Sequence, residues 1–184
     1  MAKRKFFTLP RMVSVSVMTA FAVFGRIAFA PIPNFKPTTA IVILSGLAFG
    51  PASGFLTGAL AALLSNFYFG QGLWTPAQML AWGLVGLLSG LLTNCKFRDK
   101  LWKIVLFGLF CAGLYGMILD TWNVIFFVRP LTLPVILASL SASLLFNAAH
   151  MGSTALFLAF LAMPFLRRTE RIRLKYMDLD DEAL

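Results

Sequence analysis

PTTAIVILSGLAFGPASGFLTGALAALLSNFYFGQGLWTPAQMLAWGLVGLLSGLLTNC, residues 37–95, runs for 59 residues without a charge or a histidine. A helix crossing a bilayer takes about 20 residues. One span therefore leaves most of the stretch unused, and three fill it. Breaks are written in at suitable places. Gly50-Pro51 puts a proline at a helix start. Gly70-Gln71-Gly72 makes the next turn, and Thr75-Pro76-Ala77-Gln78 reads as a capping box with Thr75 at the N-cap, Pro76 at N1 and Gln78 at N3.

The rest of the chain fits the same solvent. Of 184 residues, 59% are hydrophobic and 12% charged, more apolar surface than a soluble domain of this size buries. The net charge of +9 does not indicate nucleic acid, because the bases sit in blocks beside apolar runs. Lys3, Arg4, Lys5 and Arg11 precede the first run; Lys96, Arg98, Lys100 and Lys103 follow the uncharged stretch; Arg167, Arg168, Arg171, Arg173 and Lys175 close the chain. The positive-inside rule places all three blocks in the cytoplasm. The expected fold is an all-α integral membrane protein of six transmembrane helices with both termini cytoplasmic. It divides into a cytoplasmic N-terminus (1–11), one membrane domain (12–166) and a cytoplasmic tail (167–184). The first span is expected over Met12–Ala30, the fifth over Ile104–Val128, and the sixth as one long helix after an outer loop at 131–134. The second, Thr38–Gly50, is short by this ruler. Residues 1–11 do not read as a secretory signal, and Cys95 and Cys111 lack metal spacing and read as reduced.

At 1.5 Å per residue, counted from each cytoplasmic boundary, Arg26, Asn66, Gln78, Trp82, Asp120, Asn123, Asn147 and His150 fall at roughly 21–30 Å, in one layer of the outer half. Asp120 is the acid within a span and His150 is the chain's single histidine. Such groups are costly in lipid and usually face a bundle interior or a wet cavity. Ser139, Ser143, Asn147, His150 and Thr154 share a helix face. The plain alternative is that these groups are interhelical glue. Their common depth, beneath the aromatic and amide-rich loop of residues 66–82, favours a ligand pocket. That pocket would be lined by Arg26, Asn34, Asn66, Gln71, Trp74, Gln78, Trp82, Tyr115, Asp120, Asn123, Asn147 and His150. No metal site and no cofactor bound by this chain is expected. His150 as a metal ligand is a lesser reading than His150 as a hydrogen-bonding residue. Gly54-x-x-x-Gly58 and Gly86-x-x-x-Gly90 permit close helix approach, either within the chain or against a partner.

From Phe24 to Gly86, the pattern R-x-x-x-x-P-x-P-N-x-K-P, the FGP-x-x-G-F turn and the FGQG-x-W-TP-x-QM loop occur in one order. In these the chain resembles a substrate-binding (S) component of an energy-coupling factor (ECF) transporter, and the resemblance covers nearly its whole length. It implies a protein of the cell membrane that is not an enzyme. It would capture a vitamin or related micronutrient from outside and dock to a membrane scaffold subunit driven by two ATPase subunits, which use ATP. The branch it resembles is linked to cobalamin and related corrinoids. Docking would fall on the first helix, at Ser16, Ala20 and Ala22. The rival reading is a proton-coupled secondary transporter relaying through Asp120 and His150. A membrane enzyme is poorly supplied with HExxH, GxSxG or paired carboxylates, and a ligand-free scaffold would use the polar layer as glue alone.

Overall fold

A computed structural model describes residues 8–93 and 96–176. Lys3, Arg4, Lys5, Cys95 and the side chains of Lys96, Arg173 and Lys175 lie outside the described residues. The described chain forms six α-helices: α1 Leu9–Ala28, α2 Thr38–Phe49, α3 Pro51–Phe69, α4 Trp74–Leu91, α5 Leu101–Phe127 and α6 Leu133–Tyr176, with a 3-10 turn at Lys96–Asp99. Four of them, α1, α3, α5 and α6, are long and apolar enough to cross a membrane. α4 has 18 residues and α2 only 12.

Glycine and proline set the boundaries. Gly50 takes φ +89°, open to glycine at little cost, and Pro51 begins α3. Gly70, at φ +96°, ends it. The expected capping box is corrected: α4 begins at Trp74, with Leu73 as its N-cap and no side-chain cap. Thr75 lies one residue inside the helix, because its hydroxyl is taken by Asn66 and Gln71 as well as by the Gly72 N–H.

Every residue of α2 except Ile41 is buried, among α1, α3, α4 and α6. Its Ile43 and Leu47 join Val85, Ile104 and Leu158 in the core. Glycines bring its neighbours close. A Cβ on Gly86 would strike the Gly54 backbone, and one on Gly54 or Gly46 would strike the Gly86 carbonyl. The small-residue stripe is therefore used inside the bundle and is not left for a partner. Burial corrects one docking residue too. Ser16 and Ala20 are exposed on α1, but Ala22 has no exposed surface, and its carbonyl accepts the Thr38 hydroxyl at 3.3 Å.

α6 does not stop at the end of the apolar run. Its 44 residues reach about 66 Å, well beyond a hydrocarbon core of about 30 Å. Arg and Glu are good helix formers, so the charged segment continues the helix. Glu170 meets Arg98 at 3.0 Å, and Arg98 also donates to the Thr93 carbonyl at 3.1 Å. The Glu170 side chain is 51% exposed. Glu170→Gln is therefore expected to lower stability by no more than about 1 kcal/mol, read as a small Tm shift. At the other end, no residue from Met117 to Ala149 is buried, so that half of the α5–α6 hairpin stands off from the bundle. Asn34, in the left-handed region at φ +55° that Asn tolerates, reaches it by donating to the Phe146 carbonyl at 2.7 Å.

Candidate ligand site

Arg26 occupies the last turn of α1, where a cation suits the helix dipole. Its side chain turns into the bundle and is 8% exposed. It donates to Ser65 Oγ, to Asn66 Oδ1 at 2.9 Å and to Gln78 Oε1 at 3.4 Å. Asn66 Nδ2 donates in turn to Thr75 Oγ1 and to Gln78 Oε1, both at 2.9 Å. Thr75 donates to Gln71 Oε1, and Gln71 Nε2 reaches back to the Leu63 carbonyl. The end of α3, the turn after it and the start of α4 thus form one hydrogen-bonded patch around a guanidinium.

Beside this patch lies a column of rings. Trp82 is fully buried and stacks on Tyr115, with centroids 4.7 Å apart. Tyr115 lies 5.0 Å from the His150 ring. Thr39 joins the ends of the column: its Oγ1 accepts Trp82 Nε1 at 2.9 Å and pairs with His150 Nε2 at 3.0 Å. The Arg26 guanidinium sits 5.0 Å from the Trp82 centroid and 4.8 Å from that of Phe69, within cation–π range. The Lys36 ammonium sits 5.9 Å from the same Trp82 ring. Its loop is fixed by a Phe29–Phe35–Phe157 cluster with centroids 5.3–6.1 Å apart. Burial, with Arg26 adding repulsion, pushes the Lys36 ammonium down to about 8.

The remaining expected residues form a separate group on the stand-off hairpin. Asp120 Oδ2 accepts from Ser143 Oγ at 2.8 Å and from Asn147 Nδ2 at 2.7 Å, and the Asn147 amide packs where a Cβ on Gly116 would fall. Asn123 is exposed and reaches Ser139 at 3.4 Å. Trp74 is 43% exposed and leans on Gly72.

The structure thus brings Arg26, Asn66, Gln71, Gln78, Trp82, Tyr115 and His150 into one connected centre. Asp120, Asn123 and Asn147 lie apart from it in the hydrogen-bond pattern, and Asn34 and Trp74 stand at the edge. Sequence reading missed Thr39, Ser65, Phe69 and Lys36. Lys36 carried a usable signal, as a lone base at the border of the uncharged stretch, next to Asn34 in the P-x-P-N-x-K-P pattern. Among the described residues no group of His, Cys, Asp and Glu is arranged to hold a metal ion, and Cys111 is a buried free thiol.

A helical bundle of this hydrophobicity, with four helices long and apolar enough to cross a bilayer, is that of a multi-pass membrane protein. Residues 6–166 match the family described as ECF-type riboflavin transporter, S component, and the chain belongs to that family. Neither the curated proteins nor the solved structures gave a match.

Proposed function

We propose that the chain captures riboflavin or a close flavin relative and hands it, by docking, to a scaffold subunit and two ATPase subunits that spend ATP on import. The family description names riboflavin. The observation that carries the reading is the Trp82–Tyr115–His150 column edged by Asn66 and Gln78. A flavin is a flat ring system with an imide edge that both donates and accepts. Aromatic faces suit the ring, and amides, which do both, suit the edge. Cobalamin, the substrate implied by the resemblance, gains no support from the family description. In this reading all six helices traverse the bilayer, with α2 and α4 completed by their flanking turns, and the basic ends face the cytoplasm.

Tryptophan close to a flavin quenches its emission, so titrating riboflavin with purified protein tests the proposal. Saturable quenching, with a matching heat by calorimetry, is the expected result; absence of both overturns it. Asp120 is the residue at which proton coupling can be tested. Asp120→Asn keeps an acceptor for Ser143, so binding should weaken by about tenfold or less, and uptake should still require ATP hydrolysis. Uptake that survives loss of ATP hydrolysis and collapses with an ionophore would instead establish the secondary-transporter reading.

A further inference from the structure

Two cations meet at the centre of this site. Arg26 and Lys36 both lie within 6 Å of the Trp82 centroid, a ring that also stacks on Tyr115. Among the described residues, the hydrogen-bond acceptors of Arg26 are all neutral: Ser65, Asn66 and Gln78. The Lys36 ammonium makes no hydrogen bond or ion pair among the described residues, although it is no more than half exposed. Asp120, the carboxylate on the stand-off half of the facing hairpin, is engaged by Ser143 and Asn147, and the Arg98–Glu170 pair lies at the opposite end of α4. A lysine in a loop can usually turn to water. Here the phenylalanine cluster and the Ser153 contact to the Lys36 carbonyl hold the backbone, and the side chain lies over Trp82. Bringing like charges together out of water is unfavourable unless an opposite charge joins them.

We propose that the ligand of this site carries an anionic oxygen group, a phosphate or a carboxylate, beside its ring system, and that Lys36, with Arg26 behind it, receives that group. This rests on the reading of the site as flavin-binding. A charge-assisted contact of this kind is worth roughly a 10- to 100-fold preference for the anionic over the neutral ligand. The preference should be full at pH 7 and shrink as pH rises past about 8, where Lys36 loses its proton. The other titratable groups around it are Arg26 from α1, Tyr115 from α5 and His150 from α6.

The test measures Kd by fluorescence quenching for riboflavin, riboflavin 5′-phosphate and a flavin whose side chain ends in a carboxylate. It uses the full chain in phosphatidylcholine nanodiscs at pH 7 and pH 9.5. The expected result is tighter binding of at least one anionic flavin at pH 7; the comparison of the two shows which oxyanion fits. Lys36→Gln should cut that preference toward unity, and Lys36→Arg should keep it and remove its pH dependence. Equal affinity of wild-type protein for all three ligands overturns this inference and leaves the flavin site standing. Binding of none of them overturns both. If Lys36→Gln and Asp120→Asn weaken all three ligands alike, the lysine pairs with Asp120 in the bound state and the inference fails. If phosphatidylglycerol nanodiscs erase the preference, a lipid headgroup is the occupant, which also overturns it.

Discussion

Gly86→Leu is expected to prevent the bundle from assembling. Gly86 on α4 faces Gly54 on α3 and Gly46 on α2, and a Cβ placed on it meets the backbone carbonyl of Gly54. A clash with a flexible side chain is relieved by a rotamer change, but a clash with backbone moves a whole helix. Helices with ordinary side chains between them pack 8–10 Å apart, and the glycines allow a closer approach. Overpacking usually costs about 1–3 kcal/mol, occasionally more. Here it acts at the junction of three helices, so a loss above about 3 kcal/mol is expected, against a total stability of about 5–15 kcal/mol. Size-exclusion profiles and thermal unfolding in detergent should show aggregated protein or a steep fall in Tm. Gly152→Ala is the control. Nothing lies within 4 Å of a Cβ at that helical position, so the change should be neutral or stabilising by up to about 1 kcal/mol. A monodisperse Gly86→Leu protein with wild-type Tm would show that α3 and α4 do not need this approach.

Arg26→Leu should divide binding from stability. Removing the guanidinium leaves Asn66 Oδ1 without its donor and Ser65 with one partner fewer, at a cost of about 1–3 kcal/mol for each unsatisfied buried group. It also removes a cation held out of water, a relief of comparable size. These terms oppose, so the ligand-free protein should lose little stability. The ligand gains nothing from the relief. It loses the patch that fixes Asn66 and Gln78, and it loses a positive charge over Trp82. An affinity loss of roughly 100-fold is expected, with Tm lowered by only a few degrees. A large Tm loss with unchanged affinity in the surviving folded protein would make Arg26 a structural residue alone.

Much of the fold could be read in the chain because its breaks are written in residues with strong local preferences. Gly50-Pro51 and Gly70 end and start helices where expected, and the short α2 was visible as an uncharged, mostly apolar run between Pro37 and Gly50. The far end of α6 was not visible. RRTERIR reads as a solvated tail by charge, while its helix propensity and the Arg98 contact extend the helix. In the site, depth alone grouped Asp120 and Asn147 with Arg26, because a ruler along each helix carries no information about rotation around the bundle. Tertiary packing places them on a hairpin that stands away. Thr39 and Ser65 were invisible for a different reason: hydroxyls are common in membrane helices, where they often bond their own preceding turn, as Ser65 also does with Ala61. Lys36 stands in the sequence as a lone base at the border of the uncharged stretch; only the folded loop turns it onto Trp82.

The central helix α2 carries a consequence for how the protein is made. At about 18 Å it is too short to partition on its own into a hydrocarbon layer of about 30 Å, and once packed it offers lipid almost no surface. With all six helices in the bilayer, as proposed above, it would enter the membrane together with α3, as a hairpin bent at Gly50, and then be surrounded. The ribosome must deliver α4 and α6 before the middle of the molecule has its neighbours, so a chain cut short after α3 should be recognised as unfinished and degraded.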